Sequence, residues 1–100
     1  MKYIVSFHPL VEKEYTEAVE WYEKQQKGLG NRFIEAVGLK MNEISQNPNA
    51  FGKKSSIIFR EAKISKFPYL IVYKASEKSK EILVVSIHHT KKHPRKKYRK

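Results

Sequence analysis

The sequence predicts an α+β fold: an N-terminal strand, an α-helical hairpin, and then a three-stranded antiparallel meander forming a small sheet. Three observations carry that prediction. Phe67 to Tyr73 is apolar or aromatic at every position, which reads as a strand covered on both faces, the middle of a sheet. Strand-like stretches flank it at Ser56 to Ser65 and at Glu81 to His89. Ahead of all three lie two long segments with helical apolar spacing, which can supply the cover.

Taken in order, Tyr3, Val5 and Phe7 alternate with Ile4 and Ser6, as a short first strand requires. His8-Pro9 ends it, because the residue before proline is biased towards extended backbone, and Pro9 stands where a helix can start. From Leu10 to about Gln26, Val11, Tyr15, Ala18, Val19 and Tyr22 fall at i, i+4, i+7, i+8 and i+11, a helical stripe. Glu12, Glu17, Glu20, Glu23 and Lys24 take the outer faces and read as solvated; Trp21 lies off the stripe. Lys27 to Asn31 breaks the helix, with Gly28 as a C-terminal cap and Asn31 capping the second helix. That helix runs from about Arg32 to Ser45 on a stripe of Phe33, Val37, Met41 and Ile44, with Gly38 allowing close approach to the first. A short link between two amphipathic helices predicts an antiparallel hairpin.

Asn47-Pro48-Asn49 is turn chemistry, and Ala50 to Ser55 reads as a loop. Ile57, Ile58 and Phe59 lead into the second strand at Arg60 to Ile64. Pro68 donates no amide hydrogen and belongs at the start of the central strand. Ser76 to Ser79 closes a hairpin, and Ile82 to Ile87 makes the last strand, ending at His88 and His89. Three consecutive strands with short connections form a meander, and one of its faces buries the helical stripe. One hundred residues make one domain, 1–100, with a basic C-terminal tail from about Lys91 that self-repulsion should keep mobile when unbound.

The charge is uneven. Residues 1–50 hold six Lys/Arg against seven Asp/Glu, while residues 51–100 hold fifteen against three, which accounts for the whole net charge of +11. Net charge speaks to partners, and this distribution favours a polyanion or an acidic protein segment. Lys53, Lys54, Arg60, Lys66, Lys91, Lys92 and Arg95 are the candidate contacts, with Lys63 beside them and Tyr69, Tyr73 or Tyr98 available to stack on bases. The absence of cysteine removes disulfides and thiolate metal sites. His88 and His89 are strand neighbours pointing to opposite faces, so they do not share a metal ion, and exposed strand-end histidines are the simpler reading. No metal or cofactor is expected. The N-terminus reads as a strand and not as a signal peptide, and no apolar run reaches membrane-spanning length, so a cytoplasmic protein is the default.

The order of pieces is itself informative. Glu20-Trp21-Tyr22-Glu23, Gly28-Leu29-Gly30-Asn31-Arg32-Phe33, Asn47-Pro48, Arg60, Lys66 to Tyr73, and Val84 to His89 with Pro94 resemble the RelE/ParE superfamily of toxins over nearly the whole chain. The resemblance implies the toxin of a type II toxin–antitoxin module, of the plasmid-stabilisation type. It also implies a cognate antitoxin with an acidic segment, joined to the toxin in a hetero-oligomer. RelE-like members of the superfamily cleave messenger RNA on the ribosome, whereas ParE-like members act on DNA gyrase without hydrolysis. In this chain Leu70 follows Tyr69 where RelE-like members carry Arg, and Glu61 stands where a second Lys is expected; Lys63 matches a basic strand position. Lys91 or Lys92 replaces the Arg after the last strand, and Tyr98 the terminal Tyr. Trp21-Tyr22-Glu23 and Gly28-Leu29-Gly30 look ParE-like. The resemblance therefore implies a growth inhibitor aimed at gyrase. The alternative is an endoribonuclease with a catalytic set of Arg60, Lys63, His88, His89, Lys92 and Tyr98, and a further alternative is a non-toxic basic RNA-binding protein.

Overall fold

Proline placement decides where the first strand stops. In the computed structural model, which describes residues 3–54, 58–92 and 98–99, β1 (Ile4–Phe7) ends just before His8-Pro9 and α1 (Pro9–Gln25) begins on the proline. Pro at the first helical position forfeits no intrahelical bond, and His8 Nδ1 accepts the Leu10 amide at 3.1 Å.

The hairpin forms as expected, but its turn differs from the sequence reading. α2 (Leu29–Gln46) starts three residues early, and Gly28, with φ of 90°, is its N-cap instead of a C-cap for α1. Asn31 lies inside the helix and does not cap it. The missing acceptor comes from across the turn, where the Glu23 carboxylate takes the amides of Gly28 at 3.0 Å and Gly30 at 3.0 Å. Glu23 is thus no idle solvated charge. Gly30 is the point of close approach, since a Cβ there would lie 2.9 Å from Glu23 Oε1 and 3.0 Å from the Val19 carbonyl oxygen. Gly38 has open space where its Cβ would be, so it is not the approach point the spacing suggested.

Among the described residues four further strands follow: β2 (Lys53–Lys54), β3 (Phe59–Lys63), β4 (Tyr69–Ser76) and β5 (Glu81–His89). They join β1 in one sheet in the order β1-β5-β4-β3-β2, with β4 in the middle. The meander β3-β4-β5 is antiparallel, and β1 joins β5 in parallel. A parallel neighbour needs a crossover, and the helical hairpin together with the meander provides it. β2 falls in the stretch expected to be loop; it pairs antiparallel with β3 and widens the sheet to five strands. Residues 55–57, including Ile57, and the side chains of Lys53 and Lys54 lie outside the described part of the structure.

The two faces of the sheet differ in what covers them. Ala62, Ile71, Tyr73, Ile82, Val84 and Ile87 point at the helices and join Val11, Ala18, Tyr22, Phe33, Val37 and Ile44 in the main core. Phe33 is fully buried, stacked on Tyr22 at 5.3 Å and met edge-on by Phe67 at 5.1 Å and Tyr69 at 5.2 Å. On the other face, Phe59, Val72 and Val85 form a smaller apolar strip with Leu70, Leu83 and Tyr98 packed against it. Neither described helix covers that strip. Among the described residues, no helix is long and apolar enough to cross a membrane.

Candidate functional site

Strand alternation sorts the candidate residues before any contact is considered. Phe59, Glu61 and Lys63 of β3 share the open face, while Arg60 and Ala62 face the helices. The register sets Lys63 opposite Leu70 and Leu70 opposite His88, one transverse row on the open face. Two strand spacings put the ends of that row roughly 10 Å apart. The next row runs Glu61, Val72, Ser86.

Arg60 is not on this face. It sits opposite Tyr73, and its guanidinium donates to the Phe51 carbonyl at 2.5 Å and to Asn49 Oδ1 at 3.2 Å, tying the 49–51 loop to the sheet. Tyr73 is fully buried and donates its hydroxyl to the Pro48 carbonyl at 2.6 Å. Burial pushes its pKa up to about 12, against the opposing pull of Arg60. Tyr73 is therefore unavailable for stacking on a base. Tyr69 is half-buried among Tyr22, Phe33 and His89. Its pKa is raised by burial first, then by Tyr22 and Glu17.

Lys63 donates to the carbonyls of Phe67 at 2.9 Å and Ile64 at 3.3 Å, fastening the β3–β4 turn. Lys66 lies exposed in that turn with φ of 69°. His88 contradicts the exposed reading: it is only 3% accessible, with Nε2 at 3.2 Å from the Lys92 carbonyl oxygen. A carbonyl accepts only, so the ring carries a proton on that nitrogen. His89 points the other way, as alternation requires. Its Nδ1 accepts the Lys91 amide at 3.0 Å, and its ring stands edge-on to Tyr69 at 5.0 Å. Burial lowers its pKa, with Lys92 and Lys91 adding to the effect, so His89 is neutral at pH 7.

Lys91 and Lys92 are exposed at the mouth of a groove of about 880 Å³ between α1 and the ends of β4 and β5. Trp21, Tyr69 and His89 wall it, with Glu17 on the helix side. Trp21 is 56% exposed and rests edge-on against Tyr22, outside the main core.

The tail also departs from expectation. Arg95 and the rest of 93–97 lie outside the described residues, but Tyr98 and Arg99 are docked. Tyr98 stacks on Phe59 at 5.1 Å and donates its hydroxyl to Glu61. Arg99 pairs with Glu14 at 2.5 Å and donates to the Val85 carbonyl at 2.9 Å. Glu14 in turn accepts the Ile87 amide at 3.0 Å. Sequence reasoning passes over Glu14, although it occupies an inward position three residues after Val11 and four before Ala18. That placement is the available signal.

The candidate cations among the described residues thus divide between two faces and one turn and do not converge on a single patch. Among the described residues there is no His/Asp/Glu group able to hold a metal ion.

Residues 5–94 match the sequence profile of the family described as ParE toxin of type II toxin-antitoxin system, parDE. No curated protein matches the sequence significantly. Among solved structures, a chain of the chromosomal ParDE TA system from P. aeruginosa superposes with a TM-score of 0.75 at 12% identity, over 90% of this chain and 98% of that one. The isolated E. coli RelE toxin gives 0.66 at 18% identity, over 92% and 88%. An E. coli RelE variant in complex with the antitoxin RelBc peptide gives 0.64 at 20% identity, over 87% and 82%. Likenesses at these identities speak for a common fold.

Proposed function

The chain belongs to the ParE toxin family of type II toxin–antitoxin systems, and from that premise we propose that it arrests growth by binding DNA gyrase, with no hydrolytic chemistry of its own. The observation that carries this reading is the dispersal of the candidate cleavage residues. Breaking a phosphodiester calls for an acid, a base and cations gathered on one phosphate. Here the guanidinium of Arg60 is held by the 49–51 loop on the helix side, and Lys63 Nζ is held by two turn carbonyls. His88 is buried and His89 looks away from it. Glu61, bonded to Tyr98, adds a carboxylate to the open face, where an incoming phosphate would be repelled.

The protein's partner is a cognate antitoxin, the second component of any type II module. We assign that antitoxin an acidic segment and place its contact at Lys66, Lys91 and Lys92, exposed cations near the β3–β4 turn and the end of β5. Arg60 is better read as a loop fastener than as a contact. The site of action is the cytoplasm, where gyrase and nascent antitoxin are found.

Endoribonuclease activity is the competing reading, and one observation favours it: Lys63, His88 and Tyr98 belong to the same face of the sheet. Two assays decide. Purified protein should inhibit supercoiling of relaxed plasmid by gyrase and leave messages intact in a translating extract. Cleaved messages with normal supercoiling would overturn the gyrase assignment.

A further inference from the structure

Neither described helix lies over the open face of the sheet, yet its apolar strip is not bare. Tyr98 lies on it, ring against Phe59, in contact with the cluster that includes Val72 and Val85. Its hydroxyl reaches Glu61, the one carboxylate on that face of β3. The next residue anchors separately: Arg99 makes a two-nitrogen contact with Glu14, at 3.0 and 2.5 Å, and a third bond to the Val85 carbonyl. These bonds reach β3, β5 and α1. Tyr98 and Arg99 lie in a strongly basic run whose like charges repel Arg99. Among the described residues, Tyr98 and Arg99 are held by the Phe59 ring, the Glu61 and Glu14 carboxylates and the Val85 carbonyl.

We propose that Tyr98 and Arg99 form an intramolecular latch over the open face, so that the toxin engages its target only when the latch is released. The inference rests on the family's growth-arresting activity and not on gyrase being the target. The latch is charge-assisted, and Glu14 and Arg99 retain partial solvent access (side-chain exposure 21% and 17%), so added salt weakens it. Its removal exposes Phe59, Val72 and Val85 together, an apolar strip flanked on the same face by Glu61, Lys63 and Ser86. An apolar centre with a polar rim is the usual layout of a protein contact.

The latch separates cleanly from a merely structural tail. If Tyr98 and Arg99 only complete the fold, deleting their contacts lowers stability and toxicity together. If they cover the working face, deletion raises potency. Tyr98→Ala/Arg99→Ala removes both anchors. Glu14→Gln keeps an acceptor for the Ile87 amide while removing the charge that holds Arg99, which guards against loss of fold. Both variants and the wild type would be induced in antitoxin-free cells over a range of doses, with intracellular protein quantified and fold checked by circular dichroism. Binding of 1-anilinonaphthalene-8-sulfonate to the purified full chains reports whether the strip is exposed. We expect the double variant to arrest growth at about a fivefold lower folded-protein level and to bind more dye, with Glu14→Gln moving the same way. Equal or lower potency per folded molecule, or unchanged dye binding, would overturn the latch. Supercoiling inhibition, read in parallel, tests the gyrase assignment separately.

Discussion

At the scale of single residues, several side chains have a role only through one contact. Tyr73→Phe keeps the ring and strands the Pro48 carbonyl, a loss of about 1 kcal/mol that a urea denaturation curve would register. The raised Tyr73 pKa carries a linkage of definite sign. The folded state binds the phenolic proton more tightly than the unfolded chain, so this contribution is whole below pH 10 and fades as pH rises towards about 12. His89 works in the opposite range. Its depressed pKa means the unfolded chain binds the proton first, so its contribution is whole above the ordinary value of 6.5 and is lost as pH falls below it. His89→Gln should therefore flatten the acid limb of a plot of Tm against pH. An acid limb unchanged by the substitution would remove His89 from that account.

At the scale of elements, the two glycines of α2 make opposite predictions. Gly38 is exposed in mid-helix with space for a methyl group, so Gly38→Ala should stabilise by about 0.5–1 kcal/mol through helix propensity. Gly30→Ala should destabilise by about 1–3 kcal/mol, because its Cβ meets the Val19 carbonyl and displaces the Glu23 carboxylate from the amides it caps. Thermal melts of the two variants, shifted in opposite directions, check the hairpin geometry; a Gly30→Ala melt at or above the wild type would contradict it. The same contrast shows what was legible in the sequence. Both helices announce themselves through a period of 3.6 repeated over many residues, and the central and last strands through near-continuous apolar runs bounded by turn residues. The start of α2 does not, because Glu23 caps it from seven residues before Gly30, across a break in the pattern. Lys53 and Lys54 make a strand too short to show any period, and its partner β3 alone defines it. The burial of His88 is hidden as well. A histidine near the end of a strand looks solvent-facing until the chain beyond it folds back and offers the Lys92 carbonyl.

At the scale of the whole molecule, the excess charge belongs to the sheet half, but the described cations are deployed differently from what composition suggests. Arg60, Lys63 and Arg99 are engaged in holding loop, turn and tail, while Lys66, Lys91 and Lys92 are exposed. Among the described residues, the expectation of one cationic plateau therefore gives way to Lys91 and Lys92 at the groove beside Trp21 and Tyr69, with Lys66 in the β3–β4 turn. That difference changes what salt should do to antitoxin binding. Exposed cations act mainly by steering, so they set the association rate more than the lifetime of the complex. Raising ionic strength from about 0.1 to 1 M shortens the screening length from about 10 to 3 Å. Association of an acidic antitoxin should then slow by at least about tenfold, with dissociation nearly unchanged. Lys91→Gln/Lys92→Gln should reproduce much of that slowing at low salt without lowering Tm, since neither ammonium braces the fold in any contact among the described residues. Surface-binding kinetics on the immobilised antitoxin would measure both rates. A rate indifferent to salt, or slowed equally by neutralising Lys78 and Lys80 in the far hairpin, would place the antitoxin contact elsewhere on the sheet half.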